Sequence, residues 1–195
     1  MRIFVAEKGI DLETVQVDLS AGEQFTEAFR KLNRFCTVPV LELDDGTAIS
    51  EIWPICQYLE ERYPDKPLLG ETPEARARIG MWNMRVEHAG LAAVAESFRN
   101  HAKGFSGRAV TGALEVEQIP ALVPRGRGRA EHFLAVLDEV LGERDYVAGP
   151  AFSIADITAL VLVDFAAWIK LPVPESAANL RRWHEQVSAR PSAKA

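Results

Sequence analysis

The pattern of this sequence changes at one break, Pro64-Asp-Lys-Pro67. Before the break, short apolar runs alternate between the two-residue period of strands and the 3.6-residue period of helices. From Pro73 onward almost every apolar run has helical spacing. We therefore expect the α+β class with two domains: an α/β domain over residues 1–64, a linker over 65–72 and an all-α domain over 73–195.

The first domain is predicted to consist of short elements. Met1–Gly9 is interpreted as the second half of a helix, because no N-cap residue precedes it and Gly9 commonly ends helices. The strongest signal is Asp44-Asp-Gly46 between two β-rich runs, since Asp-Gly supplies the positive φ that a tight hairpin requires. The pattern predicts strands at 13–18, 38–43 and 47–50, a helix at 23–32, and a helix that Ser50 caps and that continues to Tyr63.

The second domain is predicted to be a helical bundle. Apolar residues from Ala75 to Ala93 alternate spacings of four and three, which is typical of a long helix in an antiparallel bundle. Gly104–Pro124 is predicted to be a connection, and the basic run Arg125–Arg129 a solvated loop before the next helix. Further helices are marked by the runs Ala130–Leu141, Ser153–Ile169 and Leu180–Val187.

Charge and composition disfavour several functions. The net charge of −6 argues against a nucleic-acid partner. Cys36 and Cys56 form no disulfide framework and the histidines no metal-ligand pattern, so no metal is expected. The most apolar stretch, Ile154–Ile169, contains two aspartates and is shorter than the roughly 20 residues that a bilayer needs, so no membrane span is expected. The start of the sequence does not resemble a signal peptide, and the expected location is the cytoplasm.

A capping box precedes the most apolar helix. Ser153 is expected to accept from the Asp156 N–H, while the Asp156 carboxylate accepts from the Ser153 N–H. Phe152 and Ile157 are spaced as a hydrophobic staple. We therefore interpret Ser153 and Asp156 as structural residues, not catalytic ones.

Three segments, Thr37–Pro64, Tyr146–Asp156 and Leu180–Pro191, together resemble the cytosolic glutathione S-transferases, in a fungal and bacterial branch of that family. They occur in the order of the family and span most of the chain. The resemblance implies a thioredoxin-like α/β domain followed by an all-α bundle, and a homodimer. It also implies glutathione as co-substrate, whose thiolate attacks an electrophilic small molecule.

The resemblance assigns the glutathione site to Thr37, Val38, Pro39, Glu51 and Ile52. It implies a cis Val38–Pro39 bond, with the Val38 backbone paired to glutathione as an added strand would be; a trans proline at a strand edge is the alternative. The Ile52 N–H would bind the γ-glutamyl carboxylate and Glu51 the ammonium group; otherwise Glu51 is a solvated acid in a first helical turn. The family usually has a hydroxyl residue where this chain has Ile52.

The catalytic residue is not identified among these positions. In the family, the group that lowers the thiol pKa is a Tyr, Ser or Cys at the end of the first strand or the start of the first helix, so we expect it upstream of Met1, with the first strand of the sheet missing. This expectation predicts an impaired transferase. The alternative is a non-catalytic glutathione-binding or scaffold protein on the same fold.

Two further residues remain open to different interpretations. Cys36 is either an unreactive loop thiol or a reactive thiol near the glutathione sulfur, and the latter would allow disulfide exchange through Cys36. His101 is either a surface residue or part of the electrophile pocket.

Overall fold

The computed structural model describes all 195 residues. The first part of the chain forms helix α1 (Arg2–Lys8), a 3-10 turn (Glu23–Phe25), helix α2 (Glu27–Leu32), strands β1 (Val40–Glu42) and β2 (Ala48–Ser50), and helix α3 (Ile52–Arg62). Gly9 ends α1 in the left-handed conformation, and its N–H bonds to carbonyls of the last turn. The small sheet and its helices are the thioredoxin-like part of the fold.

The hairpin forms where the sequence predicts it. Strands β1 and β2 pair antiparallel, with Val40 opposite Ser50. Gly46 has φ of 82°, and its N–H donates to the Leu43 carbonyl at 2.8 Å. The two strands are shorter than predicted because only three residues on each side take part in the ladder.

The predicted strand at 13–18 is wrong. Residues 10–18 have no regular secondary structure, and the Val15 side chain is 86% exposed. Strands β1 and β2 are the whole sheet, so the alternating segment has no partner. An alternating apolar pattern gives a strand only where a neighbouring strand satisfies its N–H and C=O groups.

Two helix starts also differ from the prediction. Ser50 ends β2 and does not cap α3; the residue before the helix is Glu51, which makes no capping hydrogen bond. The predicted helix at 23–32 is divided at Thr26. The Thr26 hydroxyl accepts from the Phe29 N–H at 3.3 Å and so begins α2.

The second part of the chain is helical. Helix α4 (Pro73–Arg85), a π-helical turn (Val86–Leu91) and helix α5 (Ala92–His101) form one continuous rod, followed by α6 (Leu122–Gly142), α7 (Ile154–Ala166) and α8 (Ala178–Ser188). None of these helices combines the length and the apolar character needed to cross a bilayer.

The basic run Arg125–Arg129 lies inside α6, so the loop prediction for it is wrong. Gly126 lets α6 approach α5 closely, since a Cβ there would lie 2.6 Å from the Ala93 carbonyl oxygen. Arg125 pairs with Glu96 at 2.6 Å. These tertiary contacts, which local composition does not reveal, keep the run helical.

The structure forms the capping box at the start of α7. Asp156 Oδ2 accepts from the N–H and the hydroxyl of Ser153, at 3.0 and 3.1 Å. Its Oδ1 accepts from the Val147 N–H and from Trp183 Nε1, both at 2.9 Å. Burial raises the pKa of Asp156, and these four hydrogen bonds act in the opposite direction. The carboxylate thus ties α7 to α8.

Contacts at α1 join the two parts of the chain. Glu7 accepts from both Nε and Nη2 of Arg190 at 2.7 Å and also from the Ser192 hydroxyl. Lys8 Nζ, whose side chain is fully buried, lies 2.7 Å from Glu60 Oε2. A small apolar core around Phe4 also contains residues of α3, the linker and the first turn of α7.

Candidate functional site

The hairpin brings the predicted site residues to one end of the sheet. Val40 pairs with Ser50, so the segment Thr37–Pro39, which leads into β1, lies next to Glu51 and Ile52, which follow β2. Residues 37–39 and 51–52 therefore lie together at this end of the ladder, although they are at least twelve positions apart in the sequence. We call this group of residues the hairpin edge. The arrangement follows directly from the register of the ladder.

Val38 presents free backbone groups at this edge. The Val38–Pro39 bond is cis, as the resemblance implies. Neither the N–H nor the C=O of Val38 hydrogen bonds within the chain, and its side chain is exposed. An extended peptide can pair with such groups in the way that an added strand pairs with a sheet edge.

The start of α3 offers a second set of free donors. The N–H groups of Glu51, Ile52 and Trp53 have no partner in the chain, and the Glu51 carboxylate is exposed. Unpaired N–H groups at a helix start, with the partial positive charge of the helix dipole, suit a carboxylate. Glu51 itself has φ of 72°, a conformation that residues other than glycine rarely adopt.

The turn before Val38 is held by Asn33, which the sequence analysis missed. Asn33 is buried; its Nδ2 donates to the carbonyl and the hydroxyl of Thr37, and its Oδ1 accepts from the Phe35 N–H at 3.0 Å. Within this turn Cys36 also has a positive φ, of 56°. Strained residues that their surroundings hold in place are common at binding sites. An Asn side chain that bonds to backbone two residues later is a recognisable local signal.

The two cysteines occupy different environments. Cys36 is buried, and its Sγ lies 3.7 Å from the Arg34 carbonyl oxygen, so the thiol is in hydrogen-bonding range of a neutral acceptor. Cys56 is in the small core around Phe4, where burial raises its pKa to about 12. The Cys56 thiol is therefore protonated at neutral pH and unsuited to nucleophilic chemistry.

The remaining candidates belong to the second part of the chain. His101 is exposed at the last residue of α5. Ser153 and Asp156 are buried in their capping box, and their side chains form no hydrogen bond with the residues at the hairpin edge. No group of three or more His, Cys, Asp and Glu side chains is arranged to hold a metal ion.

Comparison with known proteins gives matches along most of the chain. Residues 1–62 match the family model of the glutathione S-transferase N-terminal domain. Residues 92–191 match that of the glutathione S-transferase C-terminal domain.

Individual relatives match over nearly the full chain. Glutathione S-transferase 2 of Saccharomyces cerevisiae is 38% identical over 196 residues, which cover 100% of this chain and 82% of the relative. The crystal structure of Gtt2 from the same yeast superposes with a TM-score of 0.89 at 39% identity and covers 99% of this chain and 91% of its own. A glutathione S-transferase domain-containing protein from Marinobacter aquaeolei VT8 gives a TM-score of 0.90 at 38% identity, with 98% and 92% covered.

Proposed function

Because this chain belongs to the glutathione S-transferase family, whose members use glutathione as co-substrate, we propose that it binds glutathione at the hairpin edge. The residues are Thr37, Val38, Pro39, Glu51 and Ile52. One observation carries the proposal: the free backbone groups of Val38 lie at the same end of the ladder as the free N–H groups that begin α3. A short peptide with a terminal carboxylate complements both sets.

Each group has a distinct role in this proposal. The N–H and C=O of Val38 pair with the cysteinyl backbone of glutathione. The Ile52 N–H donates to the γ-glutamyl carboxylate, and the Glu51 carboxylate, which has no partner in the chain, takes the ammonium group. Thr37 is held by Asn33 and keeps Val38 in place.

The reaction that we propose is transfer of the glutathionyl group, through its sulfur, to an electrophilic carbon. The thiolate attacks, an S–C bond forms, and the leaving group departs with the electron pair of the bond that breaks. The thiol proton passes to solvent. Because the thiolate and not the thiol is the nucleophile, a group that lowers the thiol pKa is needed. The expectation that this group precedes Met1 stays a prediction.

A non-catalytic glutathione-binding protein is the second candidate. Two observations favour it. Ile52 lacks the hydroxyl that the family usually supplies to glutathione, and Cys36 is buried against the Arg34 carbonyl. The burial of Cys36 makes it poorly placed to act as a nucleophile, and Ile52 removes one hydrogen bond, but neither feature removes the backbone groups of Val38 that would bind glutathione.

Two measurements on the same preparation separate the candidates. Retention on immobilised glutathione tests the binding site, and turnover of a chloronitrobenzene tests catalysis. Retention with turnover supports the transferase, and retention without turnover supports the binding protein. Loss of retention in Glu51→Gln, with normal retention in the control Glu13→Gln on the exposed segment 10–18, ties binding to the hairpin edge. A wild-type chain that is not retained contradicts both candidates.

We also propose that the chain forms a homodimer through α4. Met81 and Met84 are large apolar side chains that α4 exposes. Beside them Trp53 covers Gly80, where a Cβ would lie 3.4 Å from the indole ring. A second copy would cover this face. Sedimentation at micromolar concentration should give a dimer for the wild type and a monomer for Met84→Glu. The cytoplasmic location stays a prediction.

A further inference from the structure

The connection between α5 and α6, residues 102–121, is held by the side chain of Arg99. Its Nη2 donates to the carbonyl oxygens of Arg108 and Val110 at 2.9 and 2.5 Å, and its Nε to that of Ala109 at 3.3 Å. One guanidinium group thus donates hydrogen bonds to three successive carbonyls. The sequence predicts only a poorly patterned connection here, because contacts of a side chain with backbone carbonyls leave no periodic pattern in the sequence.

The other end of the connection is fixed as well. Gln118 Nε2 donates to the carbonyls of Arg99 and Ala102 at 2.7 and 2.9 Å. Asn100 Oδ1 accepts from the Ile119 N–H at 2.8 Å. The segment between these attachments is therefore presented in one arrangement, although it contains little helix and no strand.

This segment meets the α/β domain at the turn before Val38. Gly112 approaches the Phe35 carbonyl so closely that a Cβ would lie 2.9 Å from the oxygen. Gly112 also has φ of 94°, which a side chain would oppose. The contact joins the connection held by Arg99 to the turn held by Asn33.

Large apolar side chains are exposed on both sides of this contact. Phe35 and Leu114 are 66% and 68% exposed, and Val38 and Val110 are exposed as well. All four lie within three residues of Phe35 or Gly112. Apolar side chains concentrated beside a binding strand are typical of a site that takes an apolar ligand.

Resting on the proposed glutathione site, we propose that Arg99 is a positioning residue for the electrophile. It holds Arg108–Val110 so that the connection stays against Phe35 and completes an apolar wall beside Val38. Lysine is a poor substitute, because a single ammonium group lacks the planar set of donors that reaches three carbonyls.

The test uses binding, so that it does not depend on turnover. Calorimetry gives the Kd of glutathione and of S-(2,4-dinitrophenyl)glutathione, which adds an aromatic group to the same peptide. The wild type should bind the aromatic conjugate more tightly than glutathione. Arg99→Gln should reduce this preference about tenfold, while its Kd for glutathione stays within about twofold of the wild-type value. Arg99→Lys should recover only part of the preference.

A second variant and a control separate this effect from misfolding. Gly112→Ala places a Cβ against the Phe35 carbonyl and should also reduce the preference. Lys103→Gln, at an exposed residue of the same connection whose side chain forms no hydrogen bond, should not. An unchanged preference in Arg99→Gln, or an equal loss of affinity for both ligands, would overturn the proposal. If the wild type binds glutathione but does not prefer the aromatic conjugate, the proposal for Arg99 is wrong and the glutathione site stands. If the wild type binds neither glutathione nor the conjugate, the proposed glutathione site is wrong as well.

Discussion

Asn33 donates from its Nδ2 atom to both the carbonyl oxygen and the hydroxyl oxygen of Thr37, at 2.9 Å in each case. The donor is buried, and the residue that follows Thr37 is Val38, whose own N–H and C=O are free. The pair therefore fixes the direction of the backbone that the proposed glutathione site uses.

Loss of this pair should weaken glutathione binding. We expect Asn33→Asp, which keeps the acceptor for the Phe35 N–H but loses both donors, to cost about 1–3 kcal/mol of binding free energy. Calorimetry on the folded variant measures the effect. Thr37→Val, which removes only the hydroxyl, should lose less. Unchanged affinity in Asn33→Asp would mean that the turn holds its shape without the amide.

A hydroxyl at position 52 should strengthen glutathione binding. Ile52 begins α3 and offers only its N–H, so Ile52→Thr adds a donor next to the proposed carboxylate position. The gain should be about 0.5–1.5 kcal/mol, as for an ordinary hydrogen bond. Ile52→Val is the matched control, since it has the shape of threonine without the hydroxyl. Equal Kd values for the two variants would place the carboxylate elsewhere.

Removal of the capping-box side chains should lower the stability of the fold without changing the Kd for glutathione. Ser153→Ala should lower the free energy of unfolding by about 0.5–2 kcal/mol. Asp156→Ala should cost more, because it also leaves Trp183 Nε1 and the Val147 N–H without partners in the core. Urea denaturation gives both values. A Kd for glutathione that changes in folded Ser153→Ala would assign this residue a role in binding.

The ion pair between Glu7 and Arg190 should make stability sensitive to acid. The hydrogen bond from Arg190 lowers the pKa of Glu7, and that from Ser192 acts in the same direction. Because the folded-state pKa is depressed, the stabilisation is fully present above the ordinary glutamate pKa of about 4.3 and is lost as pH falls through the folded value.

Glu7→Gln tests this ion pair. At neutral pH the variant should be less stable than the wild type by about 1 kcal/mol, given that the pair is partly exposed. The difference should shrink as the pH is lowered through the acid range in which Glu7 becomes protonated. Thermal unfolding at a series of pH values measures it, with Glu13→Gln as an exposed control. A difference that is constant with pH would contradict the assignment.

The sequence predicts those elements whose cause is local. Asp44-Asp-Gly46 specifies its own hairpin, and Ser153 with Asp156 specifies its own helix start. The segment 13–18 and the run Arg125–Arg129 were predicted wrongly for the opposite reason. A strand needs a partner, and α6, which has Gly126 and Gly128 within its basic run, depends on its contacts with α5.

The residues of the candidate site also divide into those with a local sequence signal and those without one. Thr37, Val38 and Glu51 could be named as candidates because they belong to contiguous motifs that carry the family resemblance, and the register of β1 with β2 brings them together. Arg99 could not, since the carbonyls to which it donates come within its reach only in the folded chain. Asn33 gives a local signal, because its side chain bonds to groups only two and four residues later. Hydrophobic periodicity carries no information about such contacts.

The central claim is that glutathione binds at the hairpin edge, and amide NMR tests it most directly. Titration of the isotope-labelled chain with glutathione should shift the N–H signals of Val38, Glu51 and Ile52 together, with one common Kd, while those of the capping box at Ser153 and Asp156 stay in place. Saturable shifts confined to other residues, or no shifts at millimolar glutathione, would contradict the account.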